Sequence, residues 1–494
     1  MLLAASDQTG DPRYEERAAV LMRDWIEENP RDAGRSPFSW NDHGTAWRAT
    51  VLVCVAQKLG RQPWLETALE VHGETLASSD FYVRAGNHAL NQNIALLDVV
   101  CHGARDDWTR LASARLGDLA ASSIDVEGVT NEQAVFYQLY NWRNYVRARD
   151  RLTSCGLEPP DSFERVDRMV DFLAHATLPN GEYTRLGDTA RRRADATPGT
   201  TAEFAASLGE RGSSPSARFA TYKAGFTFGR SGWGETRPFA DEIAWSVRHG
   251  PGRAFHGHGD HTAVTLYGFG TSLLEDSGVF TFNSDAWRDY ALSHAAHNVV
   301  TVDGIEYHNG HASTLDRATT SSTVDEVVVR DAGYAGVETV RRVVFSPGLG
   351  YLVVEDRLAG KTERTFRQLW HLAADGDPIE VSRGVRTRRP GANVEIVQLL
   401  DVEPAQIVMG REDPIQGWLS ENIQHRGPAP VAEFTVSGTS ARFLTVIVPS
   451  PSAAADIAIT DLEVAPGGFS FRIAIDGRAE RVVATADGVT ITPG

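Results

Sequence analysis

Cysteine is scarce in this chain of 494 residues, which has only Cys54, Cys101 and Cys155. An odd number of cysteines in or beside apolar helical segments is not the framework of a disulfide-stabilised domain. We therefore expect buried free thiols and a reducing compartment. A CxxC pair, a Walker A loop and a GxSxG elbow are also missing from the sequence. The sequence therefore lacks the usual signatures of dithiol redox chemistry, nucleotide binding and serine hydrolysis.

Long apolar runs and an excess of positive charge are missing as well. No run is long enough to span a bilayer, and the opening MLLAASDQTGDPRYEE has neither a basic start nor a small-residue cleavage site, so we predict no secretory leader. Lysine plus arginine number 48 against 65 acidic residues, a net charge of −17 that excludes general binding to nucleic acid or an anionic membrane. We expect a cytoplasmic protein, or a secreted or periplasmic one if the natural start lies upstream. Formation of a homo-oligomer stays open.

The N-terminal part of the chain is patterned as a series of helices. Apolar residues recur three and four positions apart, and short loops with capping residues separate the segments. Thr130 with Gln133 is a capping-box pattern. The predicted helices cover 14–28, 47–59, 64–77, 87–101, 108–121, 131–154 and 163–176. Such pieces assemble most simply as an antiparallel array of helical hairpins.

From about Tyr222 the apolar pattern changes to a period of two, which indicates antiparallel strands. The clearest predicted strands cover 242–248, 262–267, 299–302, 324–329 and 339–345. The stretch 187–216 is rich in Thr, Gly and Ser, so we predict a linker with at most one helical turn. Helices followed by strands indicate a multidomain α-then-β chain, and we place its domains at residues 1–205 and 206–494.

Histidines are concentrated in one region of the strand-rich part. Eight of the 15 histidines lie within 63 residues, where even scatter would give roughly two. They are His249, His256, His258, His261, His294, His297, His308 and His311. If HGHGD at 256–260 is an extended strand, His256, His258 and Asp260 project from one face. The concentration indicates a site or its wall.

Two further candidate ligands lie on neighbouring segments. Asp276 ends an apolar strand, and His297 precedes the strand predicted at 299–302. Two imidazoles and a carboxylate from separate strands suit a borderline metal such as zinc, with water as a fourth ligand. On the residues alone, the alternative that these are ordinary polar groups on a β-sheet stays open, and we assign His308 and His311 to it.

The order of these motifs resembles the heparinase II/III-like polysaccharide lyases. That family carries an HxHxD pattern, an apolar strand that ends in Asp and Gly, an Arg and Tyr pair, and a His-Asn. The corresponding segments are HGHGD at 256–260, LLEDSG at 273–278, RDY at 288–290 and HN at 297–298. NH at 87–88 and EQAVFY at 132–137 look like the family's Asn-His pair and its catalytic tyrosine segment. The similarity covers most of residues 40–305.

The resemblance implies a fold, an activity and a set of site residues. The implied fold is an incomplete (α/α) toroid followed by an antiparallel β-sandwich. The implied activity is cleavage of an acidic, uronate-containing polysaccharide or oligosaccharide. The implied cofactor is one structural zinc ion on His258, Asp276 and His297. The implied catalytic group is Tyr137, His256, Asn87 and His88.

A lyase of this kind must neutralise the uronate carboxylate, remove the C5 proton and protonate the leaving oxygen at C4. Asn87 and His88 suit the first task, because N–H groups and the dipole at a helix start favour an anion. A phenol with its ordinary pKa near 10 is an acid at neutral pH and needs a strongly lowered pKa to act as a base. We therefore expect His256 as base and Tyr137 as acid, with Tyr137 in both roles for the other C5 epimer. From the residues alone, Asn87 is equally an N-cap and Tyr137 a core aromatic.

Binding a polyanion to a chain of net charge −17 requires a local basic cleft. Arg48, Arg84, Arg253 and Arg288 lie close in sequence to these motifs and are the candidates, although solvated surface arginines explain each of them equally well. Glu132 is a further candidate at the substrate site, where it would orient a neighbouring donor; a capping role and a surface role stay equally open.

Two other functions stay open. A glycoside hydrolase on a helical toroid needs two carboxylates across the scissile bond, for which Asp42, Glu132 and Asp188 are available but not paired by spacing. In a non-catalytic carbohydrate-binding protein, the histidines would serve only to bind a structural metal that stabilises the β-sandwich. A lyase yields an unsaturated uronate without consuming water, a hydrolase yields a saturated reducing end, and a binding protein yields neither.

Overall fold

The computed structural model describes residues 1–103, 105–452 and 454–494. The chain forms two compact units, a helical one of Met1–Asn131 with Leu139–Met169 and a strand-rich one of Glu132–Gln138 with Val170–Gly494. The predicted order, helices first and antiparallel strands after, is confirmed. The two units do not follow a single cut of the chain, and the boundary placed between residues 205 and 206 stays a prediction.

The six helices predicted between residues 14 and 154 are present, although the one predicted at 47–59 begins at Asp42, and the helix predicted at 163–176 is a 3₁₀ helix followed by a short α-helix. The α-helices are α1 (Leu2–Thr9), α2 (Arg13–Glu28), α3 (Asp42–Leu59), α4 (Pro63–Ala77), α5 (Gly86–Gly103), α6 (Asp106–Ser123), α7 (Val135–Ser154), α8 (Met169–His175), α9 (Thr201–Ala206) and α10 (Ala286–Leu292). Tighter 3₁₀ helices cover Asp161–Arg168, Phe239–Asp241 and His294–Ala296. In the described part of the chain no helix is both long and apolar enough to span a membrane.

Helix α5 lies in the core of the helical unit. Its Leu90, Ile94 and Leu97 are each at most 1% exposed, and buried residues occur on every side of the helix. A helix that is buried all round is held by its neighbours along its whole length. The first turn of α5, which carries Asn87, is therefore fixed in position by this core.

Two of the three cysteines form a disulfide within the helical unit. Cys101, near the end of α5, and Cys155, directly after α7, are bonded, with Cα atoms 5.6 Å apart. Cys54 on α3 is a free, half-buried thiol. The prediction of three free thiols is therefore wrong for Cys101 and Cys155, because the last turns of two helices far apart in sequence lie side by side.

The strands of the second unit pair antiparallel throughout. They are β1 (Phe219–Tyr222), β2 (Phe226–Arg230), β3 (Ala244–Arg248), β4 (Val264–Gly268), β5 (Thr271–Leu274), β6 (Val300–Val302), β7 (Thr314–Thr320), β8 (Asp325–Asp331), β9 (Glu338–Ser346), β10 (Tyr351–His371), β11 (Pro378–Val381), β12 (Gly384–Thr387), β13 (Asn393–Gln398), β14 (Gln406–Val408), β15 (Arg411–Glu412), β16 (Ile415–Gln416), β17 (Trp418–Asn422), β18 (His425–Pro428), β19 (Val431–Ser450), β20 (Ile457–Ala465), β21 (Gly468–Ile475), β22 (Arg478–Ala484) and β23 (Val489–Pro493).

A large central sheet separates two hydrophobic cores. Strands β11-β12-β13-β19-β10-β9-β8-β7 form its main order, with β6 and β14 paired at its side. Leu352 and Val354 of β10 pack in one core with the five-stranded sheet β1–β5, whereas Val353 packs in the other with β20–β23. This alternation follows from the period of two of a strand. Packing in the first core holds β4 and β5 in position, and therefore also the loops before β4 and after β5, which carry the candidate site.

Candidate active site

The segment Glu132–Gln138 carries Tyr137 and belongs to the strand-rich unit. The predicted helix start at residue 131 is wrong, because Gln133 adopts a left-handed backbone (φ 59°) and α7 begins only at Val135. The Gln133 side chain accepts a hydrogen bond from the Ala254 backbone N–H at 2.7 Å and donates to the Gly252 carbonyl at 3.0 Å. These bonds hold the Tyr137 segment against the loop that contains HGHGD.

The structure brings together the two side chains predicted as acid and base. The rings of Tyr137 and His256 stack with centroids 3.4 Å apart and planes within 6°. The His256 side chain keeps 22% exposure, and its Nε2 lies 3.5 Å from a carboxylate oxygen of Glu132, which is 1% exposed. A phenol and a partly exposed imidazole are therefore in contact, with a buried carboxylate next to the imidazole.

Asp188 connects His256 to the predicted metal group. One of its oxygens lies 3.0 Å from His256 Nδ1, and the other lies 3.0 Å from His258 Nε2. The Arg288 guanidinium donates to both oxygens, with Nη2 at 2.8 Å from Oδ2. Burial alone would raise the pKa of Asp188, but the hydrogen bonds from Arg288, His256 and His258 hold that pKa below the ordinary carboxyl range. Asp188 is therefore a buried anion that orients both imidazoles.

Asp188 is held in position because its backbone packs closely against the backbone of Gln133 and His256. The backbone N–H of Asp188 donates to the His256 carbonyl at 2.9 Å. Gly187 has φ 60°, and a Cβ there would lie 2.6 Å from the Gln133 carbonyl oxygen and 2.7 Å from that of His256. The sequence predicts a linker from residue 187 and offers Asp188 only as a carboxylate for hydrolysis. The Gly-Asp pair was the one local signal for a close contact there.

The predicted metal ligands converge. Potential ligand atoms of His258, Asp276 and His297 all lie within 4.8 Å of one another, and all three residues are buried. His297 Nδ1 lies 3.0 Å from Asp276 Oδ2, while His297 Nε2 is buried without a hydrogen-bond partner in the described part of the chain. A buried imidazole nitrogen without a partner, beside a carboxylate and a second imidazole, fits a divalent metal with nitrogen and oxygen ligands. These residues could hold a metal ion.

The HGHGD segment, which carries His256 and His258, is a loop. The prediction of an extended strand is wrong, because residues 256–260 form turns and irregular backbone before β4. His256 and His258 still converge, through Asp188. Asp260 does not join them and instead accepts a hydrogen bond from Arg248 Nε at 3.0 Å. The two glycines admit neighbouring atoms closely, since a Cβ at Gly257 would lie 2.3 Å from the Gln133 side-chain oxygen.

Asn87 and His88 occupy the first turn of α5, as predicted, within the helical unit. His88 Nδ1 lies 2.5 Å from Asp42 Oδ2, and the His88 ring stacks on His43 with centroids 3.8 Å apart. The Asn91 amide bridges the Asn87 carbonyl and His43 Nε2, at 2.9 and 3.0 Å. Burial would raise the pKa of Asp42, but the hydrogen bond from His88 lowers it. The helical unit thus holds its own polar cluster around the predicted carboxylate-binding pair.

The four predicted arginines have different environments. The Arg48 guanidinium lies 3.6 Å from the ring centroid of Trp25, and burial lowers the pKa of Arg48 to about 10. Arg84 is exposed. Arg253 Nε donates to the Gly257 carbonyl at 2.8 Å, and Arg288 is held by Asp188. Their role in substrate binding stays a prediction.

Comparisons with known proteins match this architecture. Residues 220–449 match the model of a family described as Heparinase II/III-like, C-terminal. A mutant of the heparan sulfate lyase HepC from Pedobacter heparinus is similar in structure over 98% of this chain and 81% of its own, at 19% identity and a TM-score of 0.79. A crystal structure of Heparinase III covers 98% of this chain and 81% of its own, at 17% identity and a TM-score of 0.82. The sequence matches no curated protein.

A chondroitin AC lyase from Streptomyces coelicolor A3, solved in complex with chondroitin sulphate, is a more distant structural match. It covers 96% of this chain and 83% of its own, at 12% identity and a TM-score of 0.56. At such identities the likeness establishes the fold. The predicted incomplete (α/α) toroid followed by an antiparallel β-sandwich is confirmed.

Proposed function

We propose that this chain, whose residues 220–449 match the model of the Heparinase II/III-like C-terminal family, is a polysaccharide lyase that cleaves a uronate-containing acidic polysaccharide or oligosaccharide by β-elimination. The fold is shared with a heparan sulfate lyase and a chondroitin AC lyase, which supports the lyase class. The observation that carries the proposal is the stack of Tyr137 on His256, with Asp188 behind the imidazole.

His256 is proposed as the base that removes the C5 proton. Asp188, ionised beside Arg288, accepts the Nδ1 proton of His256 and thereby selects the tautomer with a lone pair on Nε2. Because the His256 side chain is partly exposed, that lone pair can reach a bound sugar. Because elimination begins with removal of a proton, the reaction at His256 needs no water or hydroxide as a nucleophile.

Tyr137 is proposed as the acid. As Nε2 of His256 takes the C5 proton, the electron pair of the C5–H bond becomes the C4=C5 double bond, and the bond from C4 to the glycosidic oxygen breaks. The Tyr137 hydroxyl gives its proton to the departing oxygen and is reprotonated from solvent. For the other C5 epimer, Tyr137 would both take and return the proton.

Asn87 and His88 are proposed to neutralise the uronate carboxylate. Proton removal beside a free carboxylate builds up negative charge, so donors that meet that charge lower the barrier. Two polar side chains in a helix's first turn, where the backbone N–H groups have no partner within the helix, offer such donors. This role rests on the resemblance and stays a prediction.

A zinc ion is proposed for His258, Asp276 and His297. When bound, such an ion supplies a cross-link between three chain segments rather than direct chemistry at the sugar. His258 also contacts Asp188, so the ligand set is coupled to the orientation of His256 through side chains of the chain itself.

The hydrolase alternative has less support. A hydrolytic acid or nucleophile must reach the sugar, whereas the Asp188 carboxylate is fully buried and engaged by Arg288 and both imidazoles.

The test is a panel of uronate polymers, namely heparan sulfate, hyaluronan, chondroitin, alginate and bacterial capsules, followed at the absorbance of the unsaturated product. We expect one or more polymers to give that absorbance with the wild-type chain and none with Tyr137→Phe. New reducing ends without absorbance would favour hydrolysis, and binding without cleavage would favour the non-catalytic alternative.

A further inference from the structure

An arginine stacked on aromatic rings lies in the strand-rich unit, on segments next to the candidate active site. The Arg426 guanidinium carbon is 3.7 Å from the ring centroid of Trp287 and 4.4 Å from that of Phe280. Trp418 is 5.6 Å away and meets Trp287 edge to face at 5.1 Å. The mechanism proposed above uses none of these four residues, which we call the aromatic shelf.

The guanidinium of the shelf is available to an anion. Arg426 is exposed, and among the described residues it forms no ion pair, unlike Arg288, which Asp188 engages. Stacking engages the face of a guanidinium, whereas carboxylates and sulfates bind at its edge through paired N–H groups. The shelf therefore holds a cation in place without using the donors that bind an anion.

The shelf is bonded to the segment that carries Asp276, one of the proposed metal ligands. The backbone N–H of Ser420 donates to the Ser277 carbonyl at 3.1 Å, and that of Gln424 donates to the Phe280 carbonyl at 2.7 Å. Asp285 caps α10 by accepting from the Trp287 N–H at 3.0 Å. The hairpin β17–β18 that carries Arg426 is thus fixed to the loop after β5.

The same loop reaches His256. Phe282, with 49% of its surface exposed, lies edge-on to the His256 ring, with centroids 6.1 Å apart. Phe282 is two residues from Phe280, a distance of about 7 Å along an extended chain. The exposed ring of Phe282 therefore lies beside the imidazole and, along the chain, only two residues from the Phe280 ring of the shelf.

We propose that Phe282 and Arg426 form a binding subsite for an acidic sugar other than the reacting uronate. Phe282 contacts the apolar face of a sugar ring, and Arg426 binds a carboxylate or sulfate on the same polysaccharide. The shelf supplies a local positive charge on a chain of net charge −17. This inference rests on the proposed function, since it takes an acidic polysaccharide as the ligand.

The test measures binding in a Tyr137→Phe background, which prevents turnover. The probes are heparan sulfate and the unsulfated polymer N-acetylheparosan, titrated by calorimetry into full-length protein. Arg426→Gln is compared with Arg481→Gln, which removes the same charge from an exposed position on β22. Melting temperatures confirm that both variants fold.

We expect Arg426→Gln to weaken heparan sulfate binding about tenfold, as for the loss of one charge-assisted contact, and Arg481→Gln to leave it unchanged. A loss confined to heparan sulfate assigns a sulfate to Arg426, and an equal loss for both polymers assigns a carboxylate. Equal affinities of the two variants, or no binding of either polymer by the background protein, would overturn the subsite. Failure of the proposed function is seen separately, as the absence of unsaturated product from every polymer in the panel.

Discussion

The phenol ring of Tyr137 lies flat on the imidazole of His256, with centroids 3.4 Å apart and planes within 6°. The stacking keeps the phenol and the imidazole side by side within the strand-rich unit. We therefore expect one monosaccharide to contact both groups. The relationship makes the separate roles of the hydroxyl and the imidazole testable by single substitutions.

Tyr137→Phe keeps the ring and removes only the hydroxyl. We expect turnover to fall by about 100- to 10,000-fold, the usual contribution of a positioned proton donor, with the melting temperature unchanged. Initial rates at the product absorbance measure the loss. His256→Ala should reduce turnover comparably. A Tyr137→Phe protein with the wild-type rate on a proven substrate would show that another group protonates the leaving oxygen.

Asp188→Asn removes the charge that faces Arg288 and orients His256. Breaking a buried ion pair leaves an uncompensated charge, so we expect a loss of about 3 kcal/mol in the free energy of unfolding together with a lower kcat. Urea denaturation and kinetics measure the two effects. The matched control is Asp303→Asn, whose exposed pair with Arg367 is worth about 0.5 kcal/mol or less. Equal losses for the two variants would contradict the role of Asp188.

Asp188 also makes acid stability testable. Its folded-state pKa lies below the ordinary carboxyl value, so its contribution is complete above that value and is lost as the pH falls below about 4. Wild-type protein should therefore lose stability between about pH 4 and 2 more steeply than Asp188→Asn. Melting temperatures across this range measure the difference, and parallel curves would contradict it.

The proposed metal ligands make the zinc content of the protein, and the effect of replacing each ligand, testable. Carefully purified protein should contain one equivalent of zinc, and a chelator should lower its melting temperature. His258→Ala and His297→Ala should lose metal and stability together. His311→Ala, at an exposed histidine outside the group, is the control and should retain both. Elemental analysis that finds no stoichiometric transition metal would remove zinc from the account.

The disulfide predicts a thiol count. Denatured protein without reductant should show one reactive thiol, Cys54, and three after reduction. Cys101→Ser should lower the free energy of unfolding by roughly 2–4 kcal/mol, because the bond closes a long loop of the unfolded chain. Three thiols before reduction would contradict the pairing. A stable disulfide favours the secreted or periplasmic alternative over a cytoplasmic location.

The sequence predicted the parts of this site that local motifs encode. The HxHxD pattern, Asp276 and His297 indicated a ligand group, and these residues do converge. The helix start that carries Asn87 was also predictable, because apolar spacing and a preceding glycine define it. Period and capping are properties of neighbouring residues, so they can be detected without the fold.

Other features depend on contacts between distant segments. The glycine before Asp188 indicates a close backbone contact, but no local pattern identifies its partners as His256 and His258, which lie about seventy residues later in the chain. The pairing of Cys101 with Cys155 likewise depends on two helix ends meeting in three dimensions. Gln133 matched a capping box but adopts a left-handed backbone, because its side chain bonds to the Gly252–Ala254 segment instead. Tertiary hydrogen bonds therefore overrode a local propensity.

Mass spectrometry of the product tests β-elimination most directly, on a uronate oligosaccharide digested in water enriched in heavy oxygen. We expect one fragment to carry an unsaturated uronate at its new non-reducing end, and neither fragment to take up the label at the cleaved bond. Heavy oxygen at that bond, together with two saturated fragments, would show that water attacks the sugar and would contradict the roles given to Tyr137 and His256.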